Sequence, residues 1–566
     1  MLAHGARSVT PFVTRAAFLL GALLASGPLA AQSSLVPANH PIYSWLEMQR
    51  VNGRIPEYQG EVRPQSRATV VGLLYILERD SLSLSRTHRS LLREFLNEFD
   101  MRRLVGNRLL TGTFIRGLPA SVVQGATSRR DPVVYAGISR DSVASGALYL
   151  SIGLGSLRLT QNGSTANGYL TTKGFKTFVN TTFGVGIHAE GVNSYINDAR
   201  ELLGRDDKLG GTYQYRAEGS DASSVYEAFV SYRRPYFEAH FGHGSLAMGP
   251  AVTDPIVIRP TAPNVSFLRL QLGTPKLNFV SLQGALEADP YQTTTIYNGD
   301  TVPTRTAPQR WFAMQRLTWQ PAKQVTFALH ELVVYSARGP DVDYVNPINL
   351  QFLSQRDKGD RDNLFIGADV MVRPMNGTEV FATTLLDDIK RLAQLATLDT
   401  SKLILTVGGR QRITQNVQLA ASYTRSDAFT YTHWLPLNTW EQGGKALGQS
   451  IGPNATEFAA RVTTWLPLRT RLILGTRAVK KGLNPVDSKG RPVANVGGDL
   501  LAGLPNNYPG LFNGADVYNT RHLEFELETE LIRALNISLK IQDAKVTGGL
   551  QLPSNRFIDF RLRYGF

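Results

Sequence analysis

The sequence predicts an all-β transmembrane barrel of about 18 antiparallel strands, preceded by a small helical segment. Three observations predict this fold: apolar and polar residues alternate from about residue 145 onward, short turns alternate with long loops, and the chain opens with an apolar export signal. After that signal no run of about 20 apolar residues follows, which excludes helical membrane spans. A closed barrel is the other fold that satisfies its backbone hydrogen bonds in lipid.

Residues 1–31 have the features of a secretory signal peptide. Arg7 and Arg15 precede the apolar run AAFLLGALLASGPLA, and small residues follow it. The run is shorter than the roughly 20 residues that a membrane helix needs. We therefore expect cleavage after Ala31 and export to the outer membrane of a bacterium.

Charge and cysteine content narrow the classes of partner. The formal net charge is +14, which favours binding to acidic polymers. Export argues against nucleic acid, so acidic polysaccharide or lipopolysaccharide phosphate fits better. The chain has no cysteine, which excludes disulfides, thiol chemistry and a lipoprotein anchor.

Residues 32–110 are predicted to be helical. Apolar residues recur at helical spacing in three stretches, and Ser85 is placed to cap the third helix. The apolar residues are Ile42, Trp45, Met48 and Val51 in the first stretch, Val70, Val71, Leu74 and Leu77 in the second, and Leu91, Leu92, Phe95, Leu96 and Phe99 in the third. Such helices could form a bundle or lay their apolar faces on a larger body.

Residues 111–566 are predicted to form the barrel with long extracellular loops. In TRHLEFELETELI, Leu523, Phe525 and Leu527 share one face, and Glu524, Glu526, Glu528 and Glu530 share the other. A soluble sandwich would also alternate, so alternation alone leaves both folds open. Strand-like runs begin near residues 147, 168, 180, 224, 236, 265, 276, 310, 323, 363, 378, 401, 416, 455, 469, 520, 535 and 556.

Loop lengths favour the barrel. Short connections at 321–323, 374–377, 414–416, 467–470 and 533–536 alternate with long stretches at 338–362, 387–400, 429–454 and 481–519. Outer-membrane barrels have short periplasmic turns and long external loops. Four aromatic residues near strand ends are candidates for interfacial girdles: Trp311, Trp319, Trp465 and Tyr564.

The last stretch, RFIDFRLRYGF, alternates apolar and polar residues and finishes on phenylalanine. It resembles the signal that the outer-membrane assembly machinery reads, and the predicted signal residues are Phe560, Leu562, Tyr564 and Phe566. We expect this strand to close the barrel by pairing with the strand near residue 147.

Several blocks resemble the Wzi capsule-assembly family. Residues 240–286 contain a strand, the turn Met248-Gly249-Pro250 and a strand pair. Residues 315–353 carry a strand that ends E-x-V-x-Y and a Y-x-N-P-x-N loop, and residues 362–389 continue the pattern. One departure is that Ala247 to Ala251 stand where the family has Trp-Gly-Pro-Gly.

The resemblance implies a barrel of about 18 strands whose helical segment caps or plugs the periplasmic end. It implies a lectin-like, non-catalytic role in which external loops hold capsular or exopolysaccharide on the cell surface. No cofactor is implied. Expected partners are the polysaccharide, outer-membrane lipid or lipopolysaccharide and the assembly machinery, with the protein as a monomer.

Two loops carry candidate carbohydrate-binding residues, because aromatic rings stack on sugars and polar groups bind hydroxyls. The candidates are Tyr431, Trp434, Trp440, Asp343, Tyr344 and Asn346. The alternative for the aromatic residues is that they pack the loop onto the barrel mouth. For the loop at 341–350, the alternative is that asparagine side chains fix the backbone.

Other chemistry has less support. GQSIG at 448–452 matches the G-x-S-x-G pattern, but a nucleophile at Ser450 would need a strand–turn–helix context that a glycine-rich loop lacks. Asp357, Asp360 and Asp362 could bind calcium, yet the EF-hand spacing is absent and a solvated loop is favoured. A porin or channel for small solutes remains the main alternative function, and an outer-membrane hydrolase is a weaker one.

Overall fold

The computed structural model describes residues 32–110, 130–197, 202, 205, 209, 214–217, 220–288, 291–297, 300–359, 361–387, 402–504, 509–549 and 553–565. The predicted signal peptide, Asp360 and Phe566 lie outside these residues.

Eighteen antiparallel strands close into a barrel, which confirms the predicted fold and strand count. In chain order they are β1 Ala144–Gln161, β2 Ser164–Thr181, β3 Val185–Asn197, β4 Ser220–Arg234, β5 Phe237–Gly244, β6 Val265–Gly273, β7 Leu277–Leu286, β8 Arg310–Ala322, β9 Val325–Ser336, β10 Asn363–Met375, β11 Thr378–Asp387, β12 Lys402–Arg412, β13 Val417–Ser426, β14 Ala455–Leu466, β15 Thr470–Leu483, β16 Asp516–Ile532, β17 Leu535–Thr547 and β18 Asn555–Gly565. Two short strands, Tyr135–Ile138 and Gln214–Ala217, pair alongside β1 and β4.

The barrel closes where β18 pairs with β1. Phe560 lies opposite Ser156, and Tyr564 lies opposite Ile152. This is the closure that alternation in the last stretch predicts. Phe560 is exposed on the outward face, whereas Tyr564 is buried.

The two ends of the barrel differ as predicted. Eight connections of two to four residues lie at one end, here called the turn end, and five of them are the short connections identified from the sequence. The opposite end, the loop end, carries the long connections, including 337–362, 427–454 and 484–515. The connection after β11 lies outside the described residues.

Four helices, together called the helical cap, lie across the turn end: α1 Ile42–Val51, α2 Arg67–Arg79, α3 Arg86–Phe99 and α4 Met101–Asn107. Ser85 caps α3 by accepting a hydrogen bond from the His88 amide. The Val51 carbonyl accepts a hydrogen bond from the Gly377 amide in one turn, and Ser85 Oγ lies 2.7 Å from Asn416 Oδ1 in another. The apolar stripes predicted for α1 and α3 are buried in the cap's own core.

Two shorter helices follow β9, namely α5 Val342–Val345 and α6 Gln351–Asp357. Among the described residues, no helix is both long enough and apolar enough to cross a membrane.

The strand faces differ as the alternation predicts. Leu523 and Leu531 are exposed on the outward face, and the four glutamates of β16 face the lumen. Each glutamate has a basic partner: Arg461 for Glu524, Lys540 for Glu526, Arg471 for Glu528 and Arg533 for Glu530. The pairs of Glu526 with Lys540 and of Glu528 with Arg471 link neighbouring strands of the wall. Arg461 reaches Glu524 from β14, across β15, and Arg533 lies in the turn that follows β16.

The predicted aromatic girdle is only partly correct. Trp319 is exposed on the outward face, but Trp465 faces the lumen and packs against Phe95 of the cap. The reason is strand parity, since Trp465 shares its face with the lumenal Arg461. Trp311 is half-buried.

Candidate functional site

The loop end of the lumen is filled by two chain segments. Residues 245–264, the inner segment, turn into the barrel between β5 and β6, and residues 427–454, the platform loop, cover them. Ile256, Val257 and Ile258 of the inner segment pack in one apolar core with inward residues of β6–β12. This role was not predicted from the sequence, although the apolar run Ile256–Ile258 inside a proline-rich loop is a signal for it.

Tyr431 and Trp440 hold the platform loop onto the inner segment. The Tyr431 hydroxyl donates to the Ile256 carbonyl at 2.6 Å, and Trp440 Nε1 donates to the Val257 carbonyl at 2.7 Å. Both side chains are fully buried. Their predicted exposure in the loop is therefore wrong, because each ring supplies core packing and a hydrogen bond to backbone instead of a face for a sugar.

Charged side chains fasten the platform loop to the wall. Arg310 on β8 donates to the carbonyls of Leu437 and Thr439 and pairs with Glu441. Lys402 on β12 donates to the Thr432 carbonyl at 2.9 Å. These buried cations fix the backbone from two sides of the lumen.

Two bulky residues of the platform loop have left-handed backbone conformations. Phe429 has φ 65° and Tyr431 has φ 71°. Side chains of this size rarely adopt such angles, and the surrounding structure must hold them there. The Tyr431 amide supplies part of that restraint by donating to Asp387 Oδ2 at 2.9 Å.

Trp434 differs from the other aromatic residues of this loop because 56% of it is exposed. Its ring lies beside His433, with centroids 5.2 Å apart and planes tilted by 42°. Gly503, in the connection after β15, lies beside the Trp434 backbone, since a Cβ atom built on Gly503 would be 3.9 Å from the Trp434 carbonyl oxygen. The platform loop thus presents one aromatic face to solvent from a rigid base, next to a second external loop.

The candidates at 341–350 do not lie at the barrel mouth. Residues 337–359 and 361–362, here called the outer flap, fold back over the outward face of β7–β10. Tyr344 is buried against Tyr335 with ring centroids 5.1 Å apart, which corrects its role as an exposed sugar contact. Asp343 and Asn346 are exposed on the flap.

The aspartates considered as a calcium site are not grouped to bind an ion. Asp362 accepts from Arg338 at 3.0 Å and 2.5 Å and from the Tyr344 hydroxyl at 2.8 Å. Asp357 is exposed at the end of α6. Over the part of the chain that the structure describes, no group of three acidic, histidine or cysteine side chains is placed to hold a metal ion.

Ser450 has a carboxylate neighbour and no nucleophile geometry. Its Oγ donates to Asp254 Oδ2 at 2.5 Å. Burial opposes ionisation of Asp254, but Arg259 and Arg477 lower the pKa of its carboxyl. A carboxylate of lowered pKa is a poor general base, so this pair holds the platform loop to the inner segment.

Two cavities occupy the lumen, one lined mainly from β14, β16–β18 and β1–β4 and the other from β12–β18 and the inner segment. One has a volume of about 610 Å³ and includes Lys176, Glu190, Arg469, Arg533 and Arg563 in its lining. The other, of about 590 Å³, includes Arg410, Arg461, Arg477, Glu524 and Lys540. His40 of the cap borders both. The lumen is therefore apolar and filled on one side, and open and charged on the other.

A family model described as capsule assembly protein Wzi matches residues 189–504. No curated protein matches the sequence.

Among solved structures, Escherichia coli Wzi is described as an outer membrane protein involved in group 1 capsule assembly and as a carbohydrate-binding β-barrel. It is similar with a TM-score of 0.54 at 11% identity, over 93% of this chain and 99% of that chain. Acinetobacter baumannii OccAB1 matches with a TM-score of 0.43 at 10% identity, over 76% and 97% of the two chains. Pseudomonas aeruginosa OccK7 (OpdD) matches with a TM-score of 0.39 at 10% identity, over 74% and 98%.

Proposed function

The chain belongs to the Wzi family of capsule assembly proteins and lies in the bacterial outer membrane, and we propose that it holds a capsular or exopolysaccharide at the cell surface without catalysis. The polysaccharide binds at the loop end, where the platform loop and the connection after β15 meet. Trp434 provides the stacking surface for a sugar ring.

The exposure of Trp434 on a rigid base carries this proposal. Tyr431 and Trp440 are buried beneath it, and Arg310 and Lys402 fix the loop to the wall. A preorganised base lowers the entropy cost of binding, because little of the protein must be ordered when the ligand arrives. Exposed aromatic residues on such a base are the usual anchors of a binding surface.

The direct test is binding of purified polysaccharide to the refolded full-length barrel. Trp434→Ala should weaken binding at least about tenfold, which corresponds to about 1.4 kcal/mol of lost contact free energy. Trp319→Ala is the matched control, since it removes an equally exposed tryptophan from the outward wall near the turn end. Equal binding by wild type and Trp434→Ala would contradict the assignment of Trp434.

Asp343 and Asn346 stay candidates for a secondary contact. Both are exposed, and Lys358 Nζ lies 2.7 Å from Asp343 Oδ2. They lie on the outer flap, so a polysaccharide reaches them only if the flap stands clear of the membrane. Asp343→Asn and Asn346→Ala, measured in the same binding assay, decide whether they take part.

A channel for small solutes is the second candidate function, and the charge-lined cavities favour it. Conductance in a planar bilayer separates the two proposals. Steady single-channel steps would support a pore, whereas a silent barrel that binds polysaccharide would support the holding role. A hydrolase would require an activity that is lost in Ser450→Ala.

A further inference from the structure

The outer flap covers part of the barrel's outward wall at the middle of the strands. On β8 and β9, Leu317 and Leu329 lie opposite each other and are exposed on the outward face. The next outward pair toward the loop end is Gln315 and Glu331. These two side chains are polar, and the flap satisfies them: Gln315 donates to the Asn349 carbonyl at 2.8 Å, and Glu331 accepts from the Phe352 amide at 3.2 Å.

The part of the wall that the flap covers lies at the level of the membrane's hydrocarbon core. The stacked pair Trp319 and Phe327 marks the outward wall near the turn end. Gln315 lies four residues from Trp319 along β8, which places it about 10 Å closer to the loop end for strands tilted by about 40°. Trp311 lies about 20 Å from Trp319 in the same direction, which is still inside the roughly 25 Å height of an outer-membrane apolar band.

Trp311 and Tyr335 form the outward aromatic pair nearest the loop end, and the flap covers them too. Trp311 Nε1 donates to the Arg338 carbonyl at 3.0 Å, and the Asp341 amide donates to the Tyr335 hydroxyl at 3.2 Å. The flap therefore occupies the place where lipid would otherwise contact these strands.

The flap exposes a group of apolar side chains on the face turned away from the barrel, and its exposed polar residues include Asp343, Asn346, Arg356 and Asp357. Ile348 is 88% exposed and Val342 80%, and Leu350 and Leu353 are about half exposed. Its charges are largely compensated within the flap, since Lys358 pairs with Asp341 and Asp343, and Arg338 pairs with Asp362. An apolar patch of this kind in contact with water would be costly.

We propose that the outer flap is embedded in the outer leaflet of the membrane, with Val342, Ile348, Leu350 and Leu353 in contact with lipid acyl chains. We infer lipid as the contact because the edge of the flap nearest the turn end borders Leu317 and Leu329, which belong to the lipid-facing wall. The flap replaces a polar section of that wall with an apolar surface, in the manner of an interfacial amphipathic helix.

Spin labelling tests the depth of the flap, because the native chain has no cysteine to compete with the label. Three full-length single-cysteine variants are labelled with a nitroxide and reconstituted into vesicles of phospholipid and lipopolysaccharide. They are Ile348→Cys, Leu329→Cys and Val493→Cys. Leu329 is the lipid-facing reference, and Val493, exposed in the connection after β15, is the aqueous reference. Collision with oxygen and with a water-soluble nickel chelate is measured by power saturation.

The proposal expects the label at 348 to match the label at 329, with several-fold greater access to oxygen than to nickel. A label at 348 that matches 493 would overturn it. Spin–spin broadening at 348 that disappears on dilution with unlabelled protein would also overturn it, because a second copy would then cover the flap. Heat-modifiable migration checks that each variant folds, and Leu353→Cys replaces Ile348→Cys if that variant does not fold.

Discussion

Arg50, in the first helix of the cap, donates to Glu379 on strand β11 at 3.0 Å, and neither side chain is exposed. Arg50 also donates to Glu61 at 2.6 Å, and Arg410 donates to Glu379 at 2.8 Å. This buried network joins the helical cap to the barrel wall, so the cap is a fixed part of the fold.

Removal of the Glu379 charge should loosen the cap. In Glu379→Gln the buried guanidinium groups of Arg50, Arg373 and Arg410 lose their shared carboxylate, and breaking a buried ion pair costs about 3–5 kcal/mol. We expect much faster proteolysis of the segment 42–107 in the folded barrel. Glu528→Gln is the matched control, because the pair of Glu528 with Arg471 is partly exposed and should contribute less than about 1 kcal/mol. Equal protease resistance of the two variants would refute the network's role.

Docking of α3 should weaken as the pH falls. Trp45 Nε1 donates to His88 Nδ1 at 3.0 Å, and His88 Nε2 lies 2.6 Å from the Gln415 carbonyl, so the neutral ring satisfies both contacts. Burial lowers the pKa of His88 to about 4 from its ordinary value of 6.5. The unfolded chain therefore binds a proton between pH 6.5 and 4 that the folded chain does not, and stability falls as the pH falls through this window.

Hydrogen exchange of residues 86–99, corrected for the intrinsic pH dependence, measures this effect. Protection should drop between pH 7 and pH 5 in the wild type, and His88→Gln should remove part of the drop. Burial also lowers the pKa of His40, which supplies a further part. An identical drop in His88→Gln would show that His88 does not contribute.

The outer flap should depend on the hydroxyl of Tyr344. Tyr344→Phe removes the 2.8 Å hydrogen bond to Asp362, at a cost of about 1 kcal/mol or somewhat more because Asp362 is buried and charged. We expect faster tryptic cleavage at Arg356 and Arg361 in detergent, where no lipid covers the flap. Tyr75→Phe, which removes a tyrosine–aspartate hydrogen bond within the cap, should leave flap cleavage unchanged. A flap that is equally resistant in both variants would contradict the anchoring role of Tyr344.

The strands were predictable because their signal is local. In β16 an apolar face with Leu523, Phe525, Leu527 and Leu531 alternates with a face of four glutamates, so the period and the direction of the side chains follow from the residues alone. The observed strand starts lie within about five residues of those predicted. The cap helices were equally accessible, since Leu91, Phe95 and Phe99 recur at the spacing of one helical face.

The loops were less predictable because they have no period. Trp434 and Trp440 stand six residues apart in one loop, and nothing local shows that the first faces solvent and the second packs on Val257. The position of the outer flap depends on Gln315 and Glu331, two polar residues on the outward face of the wall. Their partners, the Asn349 carbonyl and the Phe352 amide, are distant from them in sequence. Trp465 was misassigned for a related reason, since its partner Phe95 belongs to the cap.

The proposed role in holding polysaccharide can be measured on cells that lack the gene. The deletion strain is complemented with wild type, Trp434→Ala or Trp319→Ala at equal outer-membrane abundance, and cell-bound and released polysaccharide are quantified. We expect the deletion and Trp434→Ala strains to release polysaccharide into the medium, and the strains with wild type and Trp319→Ala to retain it. Unchanged retention in the deletion strain would contradict the proposed function.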